Sequence, residues 1–520
     1  MSILSGEFLV LIFISVVLYY ITPKKYRKFI LLLASYAFYI ISSGILSFYL
    51  ISSTISIYIG ARLISKNNNQ IKNISEEVSK EEKKVLRKQI KNKNKFIMLL
   101  IVLINLAILF ILKYFDFFGA SINTILNIFN SNISIKSFNF LLPLGISYYT
   151  LQAIGYLIDV YRDKHEAENS FFNMALFVSF FPQMTMGPIG RYNDLQESLT
   201  KGNDFELENI KNGTHRILFG IFKKMVIADR AAIFVNAVFA TTTGGITIIV
   251  AGILYTIQIY AEFSGMMDMV VGVAKLYGVR LSENFQQPFS ARTIQEFWQR
   301  WHITLGTWLK DYIFYPLSLS KMNMNLNLKA KKLFPNHFGK FITIAFPLLF
   351  VWFSNGLWHG ASWKYILYGL YYYILMMLGV LLKPLTNKLL NKFKINIEKN
   401  YFFLFQISRT IIIVVVGMLL FRSPSIRDFG ISISRIFTKA SSNILDFGLT
   451  KIDFGIIIFS IIVLILVGLI EKNKTSLYMY LKQKNICIKY AFYLILIMLI
   501  IIFGIYGPGY NISDFIYGSF

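Results

Sequence analysis

The 520-residue chain is 55% hydrophobic and 16% aromatic but only 15% charged, which excludes an ordinary soluble protein, where about a quarter of residues carry charge. Apolar runs near twenty residues recur along it, the signature of a polytopic membrane protein. The net charge of +26 sits in short clusters between those runs, so it reads as topology determinants and contacts to anionic lipid head groups, not as a nucleic-acid face.

The first run, Phe8 to Ile21, has no basic leader and no small-residue cleavage site, so it is expected as a retained helix. Lys24, Lys25, Arg27 and Lys28 follow it and place that end in the cytoplasm, with the N-terminus outside. Crossings are expected at Phe29–Ile41 and Phe48–Ile64, then a solvated, Lys- and Glu-rich stretch from Lys66 to Lys95, an exposed cytoplasmic helix or a disordered loop. A fourth crossing, Phe96–Leu112, leads to an external segment around Asn130–Lys136, and Leu141–Val160 returns. Phe171 to Gly190 carries Pro182, Gly187, Pro188 and Gly190 and is expected as a re-entrant segment, not a simple span.

Ile217–Phe239 and Ile246–Phe263 are the next expected crossings. Glu262 and Asp268 fall in or beside them, and buried carboxylates need partners; Lys275 or Arg280 could serve. From Thr293 to Tyr315, Phe297, Trp298, Trp301, Leu305, Trp308 and Tyr312 recur at three and four, which predicts one interfacial helix carrying Arg300 and His302. Further crossings are expected around Phe341–Phe353, Tyr365–Leu382, Phe402–Leu420, Phe454–Leu469 and before a tail from Tyr506. His165, His215 and His337 lie in charged stretches and read as solvated. Cys487 is the only cysteine, which rules out disulfides and paired-thiol metal sites.

The fold class is therefore all-α polytopic, with about 12 transmembrane helices, re-entrant or interfacial helices, and both ends outside. The chain divides into N-terminal helices with a basic loop (1–95), a core (96–383) and C-terminal helices (384–520). Asn355-Gly356-Leu357-Trp358-His359-Gly360-Ala361 stands between two apolar runs, and an ionisable group at membrane depth is a functional-site hypothesis by default.

Several stretches together resemble the membrane-bound O-acyltransferase family. They include Leu142-Pro143-Leu144-Gly145, Phe180-Phe181-Pro182-Gln183, Glu283-Asn284-Phe285, Glu296-Phe297-Trp298-Gln299-Arg300-Trp301-His302 and Gly356-Leu357-Trp358-His359-Gly360. The likeness is greatest to the bacterial branch that contains alginate and peptidoglycan O-acetyltransferase subunits; the D-alanyl transferase of teichoic acid synthesis is more distant. The resemblance implies a core with a catalytic funnel or tunnel, His359 as the active-site histidine and His302 as the second. Glu262 stands where the branch usually has Asp, and Gln299 where a basic residue is common.

Trp298, Arg300, Trp301, Asn284, Asp268, Glu262 and Trp358 are expected in the tunnel, as donor-binding or structural groups. A cytoplasmic thioester, acetyl-CoA, is the implied donor, with no metal and no bound cofactor. The implied acceptor is an extracytoplasmic polysaccharide, or a secreted or membrane-tethered partner enzyme that acetylates it. D-alanylation of teichoic acid is the alternative within the family. A polysaccharide or proton-coupled transporter is the alternative outside it, though no inverted repeat is visible.

Overall fold

In the computed structural model, residues 4–72, 79–131, 133–334, 337–471 and 476–506 are described. The elements named among them are all helical, as a chain that must satisfy its own backbone in lipid requires. Contacts gather them into two units, Met1–Gly213 with Val273–Ser282, and Thr214–Gly272 with Glu283–Phe520. Eight helices among the described residues are long and apolar enough to cross a membrane, and Gly6–Ile21 is apolar but shorter. The chain is a multi-pass membrane protein. The eight cover nine of the expected crossings, because Lys24–Lys72 holds two.

In the first unit run α1 (Gly6–Ile21), α2 (Arg27–Ser43), α3 (Ser47–Lys72), α4 (Lys80–Ile128), α5 (Ile146–Tyr161), α6 (Phe171–Ser179), α7 (Phe181–Met184) and α8 (Tyr192–Thr200). The expected fourth crossing is one part of α4, whose 49 residues span about 74 Å at 1.5 Å each. Ser79 and Glu82 close a capping box at its start, so helix continues from the Lys-rich stretch straight into the apolar run. Buried amides tie it to α3: Asn67 donates to Asn94 at 2.8 Å, and Ser53 to Asn105 at 2.6 Å. The 171–190 segment is broken, as its prolines and glycines predict, and is buried from Met174 to Gly190. Gln152 stitches the break, donating to the Phe177 carbonyl and accepting from Gln183 and from the Gly190 N–H, each at 3.1 Å. His165 is half-buried, stacked on Tyr156 at 5.3 Å, not simply solvated.

The next elements are α9 (Leu207–Phe222), a π-helical turn (Lys223–Ala228), α10 (Asp229–Phe239) and α11 (Gly245–Leu276). The crossing expected over 217–239 is thus interrupted by the wider π turn. His215 is buried against Phe219, Tyr478 and Tyr493, because the apolar face of α9 packs there; the expectation of exposure was wrong. α12 (Ile294–Arg300), α13 (Ile303–Leu309), α14 (Tyr315–Ser318) and α15 (Lys321–Leu333) precede the hairpin of α16 (His337–His359) and α17 (Trp363–Lys392). α18 (Asn400–Arg422), α19 (Ile426–Thr438), α20 (Lys451–Glu471), α21 (Leu477–Lys482) and α22 (Ile486–Phe503) complete the second unit. The His337 side chain and the tail beyond Tyr506 lie outside the described residues.

Gly145 caps α5 with φ +69°, and a Cβ there would stand 2.1 Å from the Met184 carbonyl oxygen. Gly145→Ala is expected to cost about 1–3 kcal/mol for the left-handed backbone, plus the clash. The thermal midpoint in detergent should fall by several degrees. Gly379→Ala, with open space around it, should not lower it; equal midpoints for the two variants would refute the assignment.

Candidate active site

His359 ends α16, and the approach of α17 decides its surroundings. A Cβ on Gly356 would meet the Tyr365 carbonyl oxygen at 2.4 Å, and one on Gly369 the Trp352 carbonyl oxygen at 2.2 Å. The two backbones therefore touch, and only glycine fits. Gly360 makes room in the same way for the Tyr365 ring. The close crossing presses His359 among aromatic edges and faces: Trp358 at 5.1 Å, Phe421 of α18 at 5.2 Å and Tyr368 at 5.7 Å. Its side chain is 2% exposed.

His302 does not ride on a continuous amphipathic helix. The expected helix over 293–315 breaks between α12 and α13, where His302 has φ +49°, ψ +51°. The cause lies in the stretch 283–287, where Phe285 bridges Trp301. Gln286 N–H donates to the Arg300 carbonyl at 3.0 Å and Ile303 N–H to the Asn284 carbonyl at 3.1 Å. The Asn284 side-chain oxygen accepts from Thr304 N–H at 3.0 Å and from its hydroxyl at 2.8 Å. Asn284 thus does for α13 what an N-cap does from within the chain. A non-glycine residue held at positive φ stores about 1–3 kcal/mol and clusters at functional sites.

The turn carries the His302 ring to Phe263 at 4.8 Å and Trp358 at 5.2 Å. The Trp358 indole therefore touches both imidazoles. His302 is 3% exposed, and neither ring nitrogen has a hydrogen-bond partner among the described residues. It stands outside the spanning helices, and burial pushes its pKa down to about 3, so the ring is a neutral base or donor at physiological pH.

The other candidates fall into two groups. Trp301 is buried among Phe285, Phe297 and Tyr260. Trp298 packs on Trp352 and Tyr372 with its N–H unpartnered among the described residues. Arg300 donates to Glu296 and Ser290, both at 2.6 Å, and so braces the turn. Asp268 and Glu262 are ion-paired elsewhere. Asp268 binds Arg216 at 2.6 Å and Lys223 at 2.7 Å, instead of Lys275 or Arg280. Glu262 stands 4.0 Å from Lys224, which also holds Asp229 at 2.6 Å.

Arg216, Lys223, Met267, Thr304 and Phe421 escaped the sequence reading. Arg216 and Lys223 could have been found, since seven residues apart on a helix is one face. Phe421 could not, because nothing local links it to His359. The arrangement offers two buried imidazoles joined by an indole and walled by rings. An imidazole is the side chain most often used to take a proton in general base catalysis, and two of them meet here.

The sequence model of the family described as MBOAT, membrane-bound O-acyltransferase, matches residues 163–330. The chain is 30% identical to the probable alginate O-acetylase AlgI of Pseudomonas syringae over 424 residues, 79% of this chain and 70% of that one. It is 34% identical to the peptidoglycan O-acetyltransferase of Helicobacter pylori over 294 residues, 51% and 52% of the two chains. It is 31% identical to the teichoic acid D-alanyltransferase of Bacillus subtilis over 281 residues, 50% and 67%.

Two outcomes follow from the turn. Asn284→Ala leaves the Thr304 groups without their acceptor and should cost about 1–3 kcal/mol, whereas His302→Gly relieves the positive φ and should hold or raise the thermal midpoint while activity is lost. Below pH 6.5 the unfolded chain protonates this histidine, and the folded chain does so only near pH 3. The stabilisation is complete above about 6.5 and declines as pH falls toward 3. His302→Gln should flatten that acid decline in midpoint-against-pH measurements; an unchanged slope counts against a neutral, buried ring.

Proposed function

The chain belongs to the membrane-bound O-acyltransferase family, in its alginate- and peptidoglycan-O-acetyltransferase-like branch, and we propose from that premise that it moves an acetyl group from a cytoplasmic thioester to a hydroxyl of an extracytoplasmic polysaccharide, or of a partner enzyme that acetylates one. That it is an O-acyltransferase follows from the family; the donor, acceptor and relay are our reading. The observation that carries it is the contact of His302 and His359 with the same indole.

In this mechanism His359 takes the proton of the acceptor hydroxyl as its oxygen attacks the thioester carbonyl, a contribution typically of about 10²–10⁴-fold. The tetrahedral adduct collapses, the C–S bond breaks, and the thiolate leaves and is protonated. His302, neutral and held by the Asn284 turn, orients the thioester or donates to the developing oxyanion. Acetyl-CoA suits the donor role, since cytoplasmic lysines would attract its phosphates. Both chain ends are assigned to the extracytoplasmic side from the basic loops, and residues 96–383 are assigned as the catalytic core. The likeness to a teichoic acid D-alanyltransferase supports a second reading, in which the acyl group is D-alanyl.

Esters of the cell envelope distinguish these. In a deletion strain, polysaccharide-bound acetate should fall, and His359→Ala at matched protein level should not restore it. A fall in teichoic acid D-alanine alone would replace acetyl by D-alanyl. Full restoration by His359→Ala would remove this histidine from the chemistry.

A further inference from the structure

The last two turns of α16 carry one inward face. Trp352, Asn355, Gly356, Trp358 and His359 are buried on it, whereas Phe350 and Phe353 are exposed. Asn355 is the only amide among them. It is 6% exposed, and its amide oxygen has no hydrogen-bond partner among the described residues. Leaving a buried acceptor unsatisfied is costly, and an apolar side chain of similar volume would avoid that cost. An amide kept at such a position needs an explanation in the working state of the site.

Its place on the helix supplies one. Asn355 and His359 are four residues apart on unbroken helix, so their Cβ atoms lie about 5–6 Å apart on one face. A helical side chain leans back toward the N-terminus, which sets the imidazole over the turn that carries Asn355. Asn Oδ1 and His Nδ1 each stand two bonds beyond Cβ, so the short amide reaches Nδ1 and not the distal Nε2. The rings of Trp358, Tyr368 and Phe421 fix where the imidazole lies. A hydrogen bond at one nitrogen decides which of the two carries the proton.

We propose that Asn355 is a positioning residue for the acyl transfer: its Oδ1 accepts the Nδ1–H of His359 and so keeps Nε2 as the lone-pair nitrogen facing the acceptor hydroxyl. The inference rests on the acyltransferase reading. Nε2 takes the hydroxyl proton as the new C–O bond forms, and gives it to the departing thiolate as the C–S bond breaks. Nδ1–H stays on Asn355 throughout. Such bonds are often long before substrate arrives and tighten in the complex. A neutral amide suits this cage of rings, since it brings in no charge that itself needs a partner.

The test compares Asn355→Leu, which removes the acceptor at similar volume, with Asn355→Asp, which keeps an oxygen at the same place. Each replaces the wild-type protein at matched level in the deletion strain, and envelope esters are measured. The leucine variant should lose about tenfold or more of the ester, because the wrong tautomer presents an N–H where a lone pair is required. The aspartate variant should stay well above it. The thermal midpoint of Asn355→Leu in detergent should hold or rise, since an unsatisfied polar atom has gone. A midpoint that falls with the ester assigns Asn355 to packing and overturns the proposal. In full-length protein with isotope-labelled histidine rings and acetyl-CoA added, nitrogen NMR should place the His359 proton on Nδ1, the signal being identified by its loss in His359→Ala. A proton on Nε2, or full ester with Asn355→Leu, also overturns it. If deletion itself leaves the esters unchanged, the acyltransferase reading falls and this role with it. If His359→Ala loses the ester and Asn355→Leu does not, this role alone falls.

Discussion

Two hydrogen bonds from Thr304 to one amide oxygen decide where His302 stands. Without the Asn284 acceptor, residues 293–315 have every reason to run on as one amphipathic helix, since their aromatic spacing fits it. Capturing the first turn of α13 from a separate segment breaks the run, holds His302 in the left-handed region, and brings its imidazole against Trp358 of α16. Asn284 itself is steadied, as its amide N–H₂ meets the Met267 sulfur at 3.2 Å and its neighbour Glu283 shares Arg216 with Asp268. A buried ion pair is weak evidence for stability, but it is a good register pin. The carboxylate at 268 thus serves the site by holding its scaffold.

The two histidines are surrounded by rings, and the buried carboxylates Asp268 and Asp229 stand apart from them in ion pairs. That division follows from dielectric cost. A charge near an imidazole in an apolar cage would have to be matched or would shift its protonation. Edge-to-face packing holds the His302 ring without supplying a fixed proton partner among the described residues.

How much of this was legible in the sequence varies with the distance over which each feature is determined. The membrane class, the broken 171–190 segment and the glycines flanking His359 are local matters of hydropathy, proline and Cβ space, and they read directly. The unbroken reach of α4 did not. The charged stretch at its start reads as either an exposed helix or a disordered loop, and α4 takes the helical one; what polarity alone did not show is that this helix runs unbroken into the crossing. The α12–α13 break is invisible from within, since the residue that causes it lies twenty positions upstream. Carboxylate partners failed for the same reason: proximity in sequence pointed to Lys275 and Arg280, whereas a different helix delivers Arg216 and Lys223. The family motifs named both histidines, but their shared contact with Trp358 is a tertiary fact.

The π turn at 223–228 bears on how this protein can change over generations. It lets two successive lysines, Lys223 and Lys224, both reach interior carboxylates, and then delivers α10 with Arg230 facing Asp453 and the Phe503 carbonyl. Such a turn is one residue longer than the α-helical path it replaces. Loss of a single codon there would return the helix to ordinary winding and leave α10 where it is, at the cost of one of the two lysine contacts that the wider turn allows. Elsewhere on a regular helix the same loss would rotate all that follows by about 100°. Lineages of this chain should therefore tolerate a change of length at this turn better than one residue lost from the α-helical stretches on either side.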